Sequence, residues 1–237
     1  MQLKKYNPQV DILWATPEPE KQIYRACSNT LKGKFAKSDS EFTNEALIKY
    51  LIHADHTSVF GHALMSFRLT KISRACADQI MRHSTAAWTS SSTHYQSHNG
   101  YDGYVDTEAL SNDMASEIAS AINDTYRRLT YRYNIEVARQ ILPLATEVSI
   151  IGTMSARTMI RFFKQRMCLR NTMETILLAN AMLAKVNEWF PLLAEQLGAE
   201  CQHGKCKQGR MACDFNSMKE KLLSYKKGIS YVQNYNR

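Results

Sequence analysis

Long uninterrupted apolar segments are missing from this sequence of 237 residues. A membrane-spanning helix needs about 20 consecutive apolar residues, and no stretch approaches that length. The opening residues, Met1 to Lys5, continue into polar residues and do not lead into the apolar core of an export signal. We therefore expect a cytoplasmic protein with no membrane partner. Hydrophobic residues still make up 44% of the chain, enough for one sizeable core.

A concentrated block of basic residues is also missing, although the chain is basic overall. Thirty Lys and Arg residues outnumber twenty-two Asp and Glu residues, which gives a net charge of +8. This excess favours anionic partners such as nucleotides, phosphorylated cofactors or nucleic acid. Because the basic residues are spread along the chain, we expect no specific nucleic-acid binding.

Paired Cys-x-x-Cys motifs are absent, so the strongest signature of a zinc site is missing. Three of the six cysteines lie singly in apolar segments, where a reduced, buried thiol is ordinary, and three share the C-terminal segment with a histidine. The two groups are Cys27, Cys76 and Cys168, and Cys201, Cys206 and Cys213 with His203. The second group could hold zinc, or its cysteines are free surface thiols or part of a redox-labile tail. We assign no metal ligand.

The apolar periodicity predicts an α+β fold with a mixed sheet and packed helices. Strands are predicted at 10–15, 62–73 and 148–153. Helices are predicted through 23–27 and at 39–53, 74–82, 112–133, 135–142, 155–166 and 171–189, with a short one opened by Pro191. The polar stretch 84–103 is predicted to be a functional loop. With no internal repeat, we expect one domain over 1–200 and a basic, cysteine-bearing tail over 201–237.

Side chains suited to binding and catalysis are concentrated in two segments, 56–62 and 79–95. Neither has the spacing of a zinc site or a catalytic triad. Arg82-His83, with Ser92 ten positions after Arg82 and Tyr95 three further, resembles the signature of flavin-dependent thymidylate synthases. That signature runs Arg-His-Arg, seven residues, Ser, any residue, Arg.

Other segments carry the same resemblance in the same order. The segment 56–62 resembles the family's His-x-(Ser/Thr)-x-x-Glu-His element, with Gly61 in place of the Glu. Residues 142–144, 155–158 and 162–166 resemble its Leu-Pro-Leu, Asn-Ala-Arg-Ser and Asn-x-Arg elements, with Lys164 in place of the Asn. The likeness covers residues 10–213, nearly the whole chain.

The resemblance implies a homotetramer with active sites shared between subunits. It implies FAD as cofactor, NADPH and methylenetetrahydrofolate as co-substrates, and a dUMP-like pyrimidine deoxynucleotide as substrate. The flavin and folate would carry the chemistry, and the protein would bind and orient them. The implied FAD ligands are His56, Ser58, Arg82, His83, Lys164 and Arg166. The implied nucleotide ligands are Gln79, Ser92, His94, Tyr95, Arg157 and Arg170, with Ser92 and Arg157 as catalytic residues.

The chemistry of these side chains suits the implied roles. A guanidinium group matches a pyrophosphate through paired hydrogen bonds, as Arg82 and Arg166 would. The amide of Gln79 can read a uracil edge with one donor and one acceptor, and the ring of Tyr95 can stack on a base.

Several positions at which the family carries an arginine lack one in this sequence. They are Ser84, His94, Ser149 and Ile176. Losing a charge-assisted hydrogen bond costs on the order of 1.5–3 kcal/mol, so uncompensated losses would abolish micromolar dUMP binding. Either Arg157, Arg161 or Arg170 compensates, or the substrate is not plain dUMP.

Two classes of function follow from the resemblance. The first is FAD-dependent one-carbon transfer from methylenetetrahydrofolate to C5 of a deoxyuridylate-like nucleotide, with C5 hydroxymethylation or action on dCMP as alternatives. The second is a non-catalytic FAD-binding subunit with a regulatory or scaffold role, which the lost arginines favour.

Overall fold

A four-stranded antiparallel sheet lies at the centre of the protein, for which a computed structural model describes residues 7–30, 45–92, 104–105, 113–204 and 206–226. The strands are β1 (Gln9–Ala15), β2 (Leu64–Ser73), β3 (Ala87–Ser90) and β4 (Glu147–Ser155), in the spatial order β1-β2-β4-β3. The α+β class is confirmed. The predicted mixed sheet is wrong for the described residues, because every strand pair in them is antiparallel. Strands β1 and β2 are antiparallel although more than one helix separates them, so this connection is not the parallel crossover that a helix between strands usually forms.

The helices surround this sheet and agree in type and approximate position with the periodicity. They are α1 (Pro19–Thr30), α2 (Glu45–His53), α3 (Arg74–Ile80), α4 (Asp113–Arg132), α5 (Ile135–Ala138), α6 (Ala156–Arg166), α7 (Met173–Trp189), α8 (Pro191–Ala194) and α9 (Phe215–Lys226). Short 3₁₀ helices occupy Thr57–His62, Arg139–Ile141, Glu200–Gln202 and Gly209–Met211. The first residues of the predicted helix 39–53 lie outside the described residues.

The prediction of a loop at 84–103 is corrected, because β3 forms within it. None of the described helices has the length and apolar character to cross a membrane.

The core lies between one face of the sheet and α7. Alternate residues of β2, namely Met65, Phe67 and Leu69, are buried, as the period of a strand requires. From Met173 to Leu183 the residues of α7 are buried on every side of the helix. A helix that is buried on every side belongs in the centre of a domain, so α7 is the element against which the others are positioned.

Two serine caps place the helices that carry the site. Ser73 ends β2 and accepts a hydrogen bond from the backbone N–H of Cys76, which starts α3. Ser155 ends β4 and accepts one from the N–H of Thr158, which starts α6. Because β2 and β4 are antiparallel, α3 and α6 begin at opposite ends of the sheet, yet their C-terminal ends meet.

A glycine allows the edge strand β3 to pack closely on β4. Trp88 lies opposite Gly152, and a Cβ atom on Gly152 would lie 2.1 Å from Cζ3 of the indole. The indole N–H of Trp88 donates to the carbonyl of His83 over 3.0 Å. Gly152 therefore lets one aromatic side chain cover the sheet and hold the backbone at His83.

The C-terminal segment contacts the core. Phe215 is buried, and Cys201 and Cys213 pack against the core residues. The boundary at residue 200 between a domain and a tail stays a prediction.

Candidate active site

The turn that follows α3 carries the buried side chain of His83. Arg166, the last residue of α6, donates from Nε to Nε2 of His83 over 3.0 Å. Nδ2 of Asn171 donates to the carbonyls of Gln165 and Cys168 over 2.6 and 3.0 Å, which closes the C-terminal end of α6. His83 thus holds the guanidinium of Arg166, and Asn171 fixes the backbone from which that side chain extends.

Positive charge dominates this junction. Burial and, to a smaller extent, the charges of Arg166 and Arg161 together lower the pKa of His83 to about 4. Burial and the charge of Arg82 lower the pKa of Arg166. His83 is therefore neutral at physiological pH and lies among guanidinium groups.

No carboxylate in the described parts of the chain forms an ion pair with Arg82, Arg161 or Arg166. Arg166 is half-buried and Arg82 and Arg161 are exposed, and phosphate or pyrophosphate oxygens match the planar donors of all three guanidinium groups. We call His83, Arg82, Arg161 and Arg166 the guanidinium cluster. Its chemistry is that of an anion-binding site.

A cavity of about 560 Å³ lies beside this cluster, between α6 and the C-terminal segment. Its cationic lining residues are Arg161, Lys164 and Arg170. Lys164 pairs with Glu200 at 2.6 Å, and Nη1 of Arg170 donates to Oε1 of Gln208 over 3.2 Å. The predicted ligands Lys164 and Arg170 are thus engaged by the C-terminal segment, and Arg161 connects the cavity with the guanidinium cluster.

The remaining predicted cofactor residues lie elsewhere. Ser58 lines a separate cavity of about 430 Å³ between α1 and the 3₁₀ helix Thr57–His62. His56 is exposed, with its ring edge towards Tyr50 at a centroid distance of 6.2 Å. The structure does not bring His56 or Ser58 into contact with His83.

Polar residues of α1 that the sequence reasoning missed also line the cavity of Ser58. They are Gln22, Arg25 and Asn29. Their spacing of three and then four residues places them on one helix face, which is a signal that could have identified them.

The predicted nucleotide ligands are partly described. Oε1 of Gln79 accepts a hydrogen bond from Oγ1 of Thr175 over 2.9 Å. Ser92 is half-buried just beyond the β3–β4 ladder, and Arg157 is exposed in the first turn of α6. His94 and Tyr95 lie outside the described residues.

The positions at which an arginine is lost have different environments. Ile176 is fully buried in α7 and is part of the core. The backbone N–H of Ser149 donates to Oγ of Ser91, and its carbonyl accepts from the N–H of Ser91, so Ser149 extends the ladder. Ser84 is exposed, and His94 is not described. At position 176, an apolar side chain that packs in the core therefore stands where the family carries an arginine.

The described part of the C-terminal segment does not support the zinc alternative. No group of three or more His, Cys, Asp or Glu residues within the described ranges is placed to hold a metal ion. Nε2 of His203 instead lies 3.1 Å from the carbonyl of Leu197.

We expect His83 to resist protonation. In an NMR titration of the folded protein, His83 should titrate near pH 4, and the unfolded chain near the ordinary 6.5. Because the unfolded state binds the proton more readily, stability contributed by His83 should fall as pH falls from 6.5 towards 4. Arg161→Gln should raise the pKa of His83, whereas a histidine that titrates near 6.5 in the folded wild type would contradict this account.

The fold is of the α+β class, and the guanidinium cluster has the chemistry of an anion-binding site. The chain belongs to the family described as thymidylate synthase complementing protein, whose model matches residues 11–192. The family resemblance drawn from the sequence motifs is confirmed.

Individual relatives match most of the chain. It is 29% identical to the flavin-dependent thymidylate synthase of Clostridium tetani, over 90% of this chain and 96% of that protein. It is 31% identical to the flavin-dependent thymidylate synthase of Geobacter sulfurreducens, over 86% and 93% respectively. Among solved structures, the UMP/dUMP methylase PolB from Streptomyces cacaoi, bound with 5-Br dUMP, has a TM-score of 0.70 at 19% identity, covering 83% of this chain and 96% of PolB. That likeness shows a shared fold.

Proposed function

We propose that this protein is a flavin-dependent methyltransferase that methylates C5 of a deoxyuridylate-like nucleotide. The observation that carries the proposal is the guanidinium cluster, which has no carboxylate partner within the described residues and lies in a member of this family. Methylenetetrahydrofolate as carbon donor and NADPH as reductant are part of the proposal, as is a cytoplasmic location.

The donor set of the cluster fits FAD. Arg82 and Arg166 offer the paired donors that a pyrophosphate requires. His83 is neutral and packs on Phe162 at a ring-centroid distance of 4.9 Å, so it can offer an uncharged ring to a planar ligand. The proposed FAD ligands are His56, Ser58, Arg82, His83, Lys164 and Arg166. When bound, the flavin would supply the hydride that reduces the transferred carbon.

The nucleotide would lie beside the flavin. Arg157 makes no hydrogen bond or ion pair within the described part of the chain, so its guanidinium is available to a phosphate. We propose that Arg157 and Ser92 orient the reacting base and phosphate. Gln79, His94, Tyr95 and Arg170 complete the proposed set of nucleotide ligands.

We also propose a homotetramer whose active sites are shared between subunits. The cavity of Ser58 and the guanidinium cluster are separate in one chain, and a second subunit would supply the missing half of each site. Apolar side chains on the strands, Leu13, Trp14 and Ile151, are between 42% and 50% exposed, as expected for an interface.

The test uses the purified wild-type protein. We expect bound FAD in its absorbance spectrum, and a methylated product by mass spectrometry after incubation with dUMP, methylenetetrahydrofolate and NADPH. A product heavier by a hydroxymethyl group, or turnover of dCMP alone, would identify the alternative reactions. Flavin without turnover of either nucleotide would indicate the regulatory or scaffold subunit, and the absence of flavin would refute the proposal.

A further inference from the structure

We propose that Thr175 fixes the side-chain amide of Gln79 so that the site selects a pyrimidine with a carbonyl group at C4 over one with an amino group. The inference rests on the proposed function, in which Gln79 faces the base. It makes Thr175 a positioning residue that determines substrate specificity.

One hydrogen bond defines the orientation of the amide. Oγ1 of Thr175 donates to Oε1 of Gln79 over 2.9 Å. Gln79 is half-buried on α3 and its side chain makes no other hydrogen bond within the described residues. The acceptor half of the amide is therefore used, and Nε2 presents its two N–H groups to a ligand.

Two further polar groups lie close to the hydroxyl of Thr175. Oγ1 of Thr172 lies 2.9 Å away and Sγ of Cys76 lies 3.6 Å away. Burial, and then the charge of Glu174, raises the pKa of Cys76, so the thiol keeps its proton and can donate. A hydroxyl has one proton and two lone pairs. Because Thr175 donates its single proton to Gln79, its lone pairs can accept from Thr172 and from the thiol of Cys76, so all three contacts are compatible.

The adjacent residue holds α7 in register with α3. The carboxylate of Glu174 accepts hydrogen bonds of 2.6 Å from both the backbone N–H and the hydroxyl of Ser73. Ser73 in turn caps α3, the helix that carries Gln79. Because these contacts are buried, Thr175 is held against Gln79 by the packing of two helices and not by a mobile loop.

The consequence is a choice between uracil and cytosine. The oxygen at C4 of uracil accepts a hydrogen bond, whereas the amino group at C4 of cytosine is a donor and would oppose the N–H groups of Gln79. A site whose buried donor is left unpaired typically binds about 10- to 100-fold more weakly. We expect dUMP to be favoured over dCMP by a factor in that range.

The experiment compares Thr175→Val, which removes the hydroxyl at nearly constant shape, with Thr175→Ser, which keeps it. Dissociation constants for dUMP and dCMP are measured by calorimetry on the flavin-loaded protein. We expect the dUMP preference of the wild type in Thr175→Ser and a preference close to one in Thr175→Val, because the amide can then rotate to face either base. An unchanged ratio in Thr175→Val would overturn the inference and leave the proposed function standing.

A second variant provides an independent test in case Thr175→Val does not fold. Gln79→Glu replaces the donor half of the amide with an acceptor, so it should favour dCMP over dUMP. A variant that still prefers dUMP would count against the proposed orientation. A wild type that binds both nucleotides equally would overturn the inference alone, and a wild type that binds neither would overturn the proposed function as well.

Discussion

Replacing Arg166 with methionine should leave the purified protein without flavin. The substitution removes a guanidinium fork and leaves Nε2 of the buried His83 without its donor. Each charge-assisted hydrogen bond contributes about 1.5–3 kcal/mol, so two such bonds to a pyrophosphate correspond to at least about 100-fold in affinity. The measurement is the flavin absorbance of the purified variant, followed by calorimetric titration with FAD.

Matched variants separate charge from geometry. Arg166→Lys keeps the charge but loses the planar fork, so its affinity should lie between those of the wild type and Arg166→Met. Arg128→Ala, at an exposed position of α4, should bind FAD like the wild type. Wild-type affinity in Arg166→Met would show that the guanidinium cluster does not bind the cofactor.

Gly152→Ala should destabilise the fold more than its single methyl group suggests. The new Cβ atom would overlap Cζ3 and Cε3 of Trp88, at 2.1 and 2.4 Å, and a rigid indole cannot yield without leaving its position. Displacing Trp88 also breaks its hydrogen bond to the carbonyl of His83. We expect the free energy of unfolding to fall by about 2–3 kcal/mol, as for overpacked sites, measured by urea unfolding.

A double-mutant cycle tests the cause. In a Trp88→Ala background, Gly152→Ala should cost little further stability, because the overlapping ring is absent. Gly61→Ala is the matched control, since a Cβ atom there meets no atom within 4 Å and should change stability little. Equal losses from Gly152→Ala in both backgrounds would show that Trp88 is not the source of the effect.

Local sequence patterns predicted most elements of this fold. The alternation that includes Phe67 and Leu69, both buried, identified β2, and helical spacing identified α6 and α7. These patterns are local, because a strand or a helix must bury one periodic set of its own residues. The strand directions are not local. They depend on which partner a strand finds far along the chain, so the mixed sheet was a wrong prediction.

The edge strand β3 was missed for a related reason. Its residues are small or polar apart from Trp88, and the burial of that ring depends on Gly152, more than sixty positions later. A composition rich in Ser and Thr favours a loop when it is read alone. Only the pairing with β4 makes a strand of it.

The motifs identified candidate site residues, but they did not show how the fold would arrange them. The signature identified Arg82 and His83, and the Asn-x-Arg-like element identified Arg166, which the structure brings together. The motifs did not show that His56 and Ser58 would line a different cavity. The role of Thr175 was not visible either, since a threonine within an apolar helix carries no signal until its partner on α3 is known.

The strand order also constrains how the chain reaches this fold. β2 and β3 are close in sequence, yet β4 lies between them, with Leu64 paired to Ser155 and Ala87 to Thr153. One edge of β2 therefore lacks its native neighbour until about eighty further residues have left the ribosome, and such distant pairings are slow to form. An unpaired edge invites association with other chains. We therefore expect the β2–β4 and β3–β4 pairs to form late in synthesis and the exposed edge of β2 to be the segment most prone to association until then.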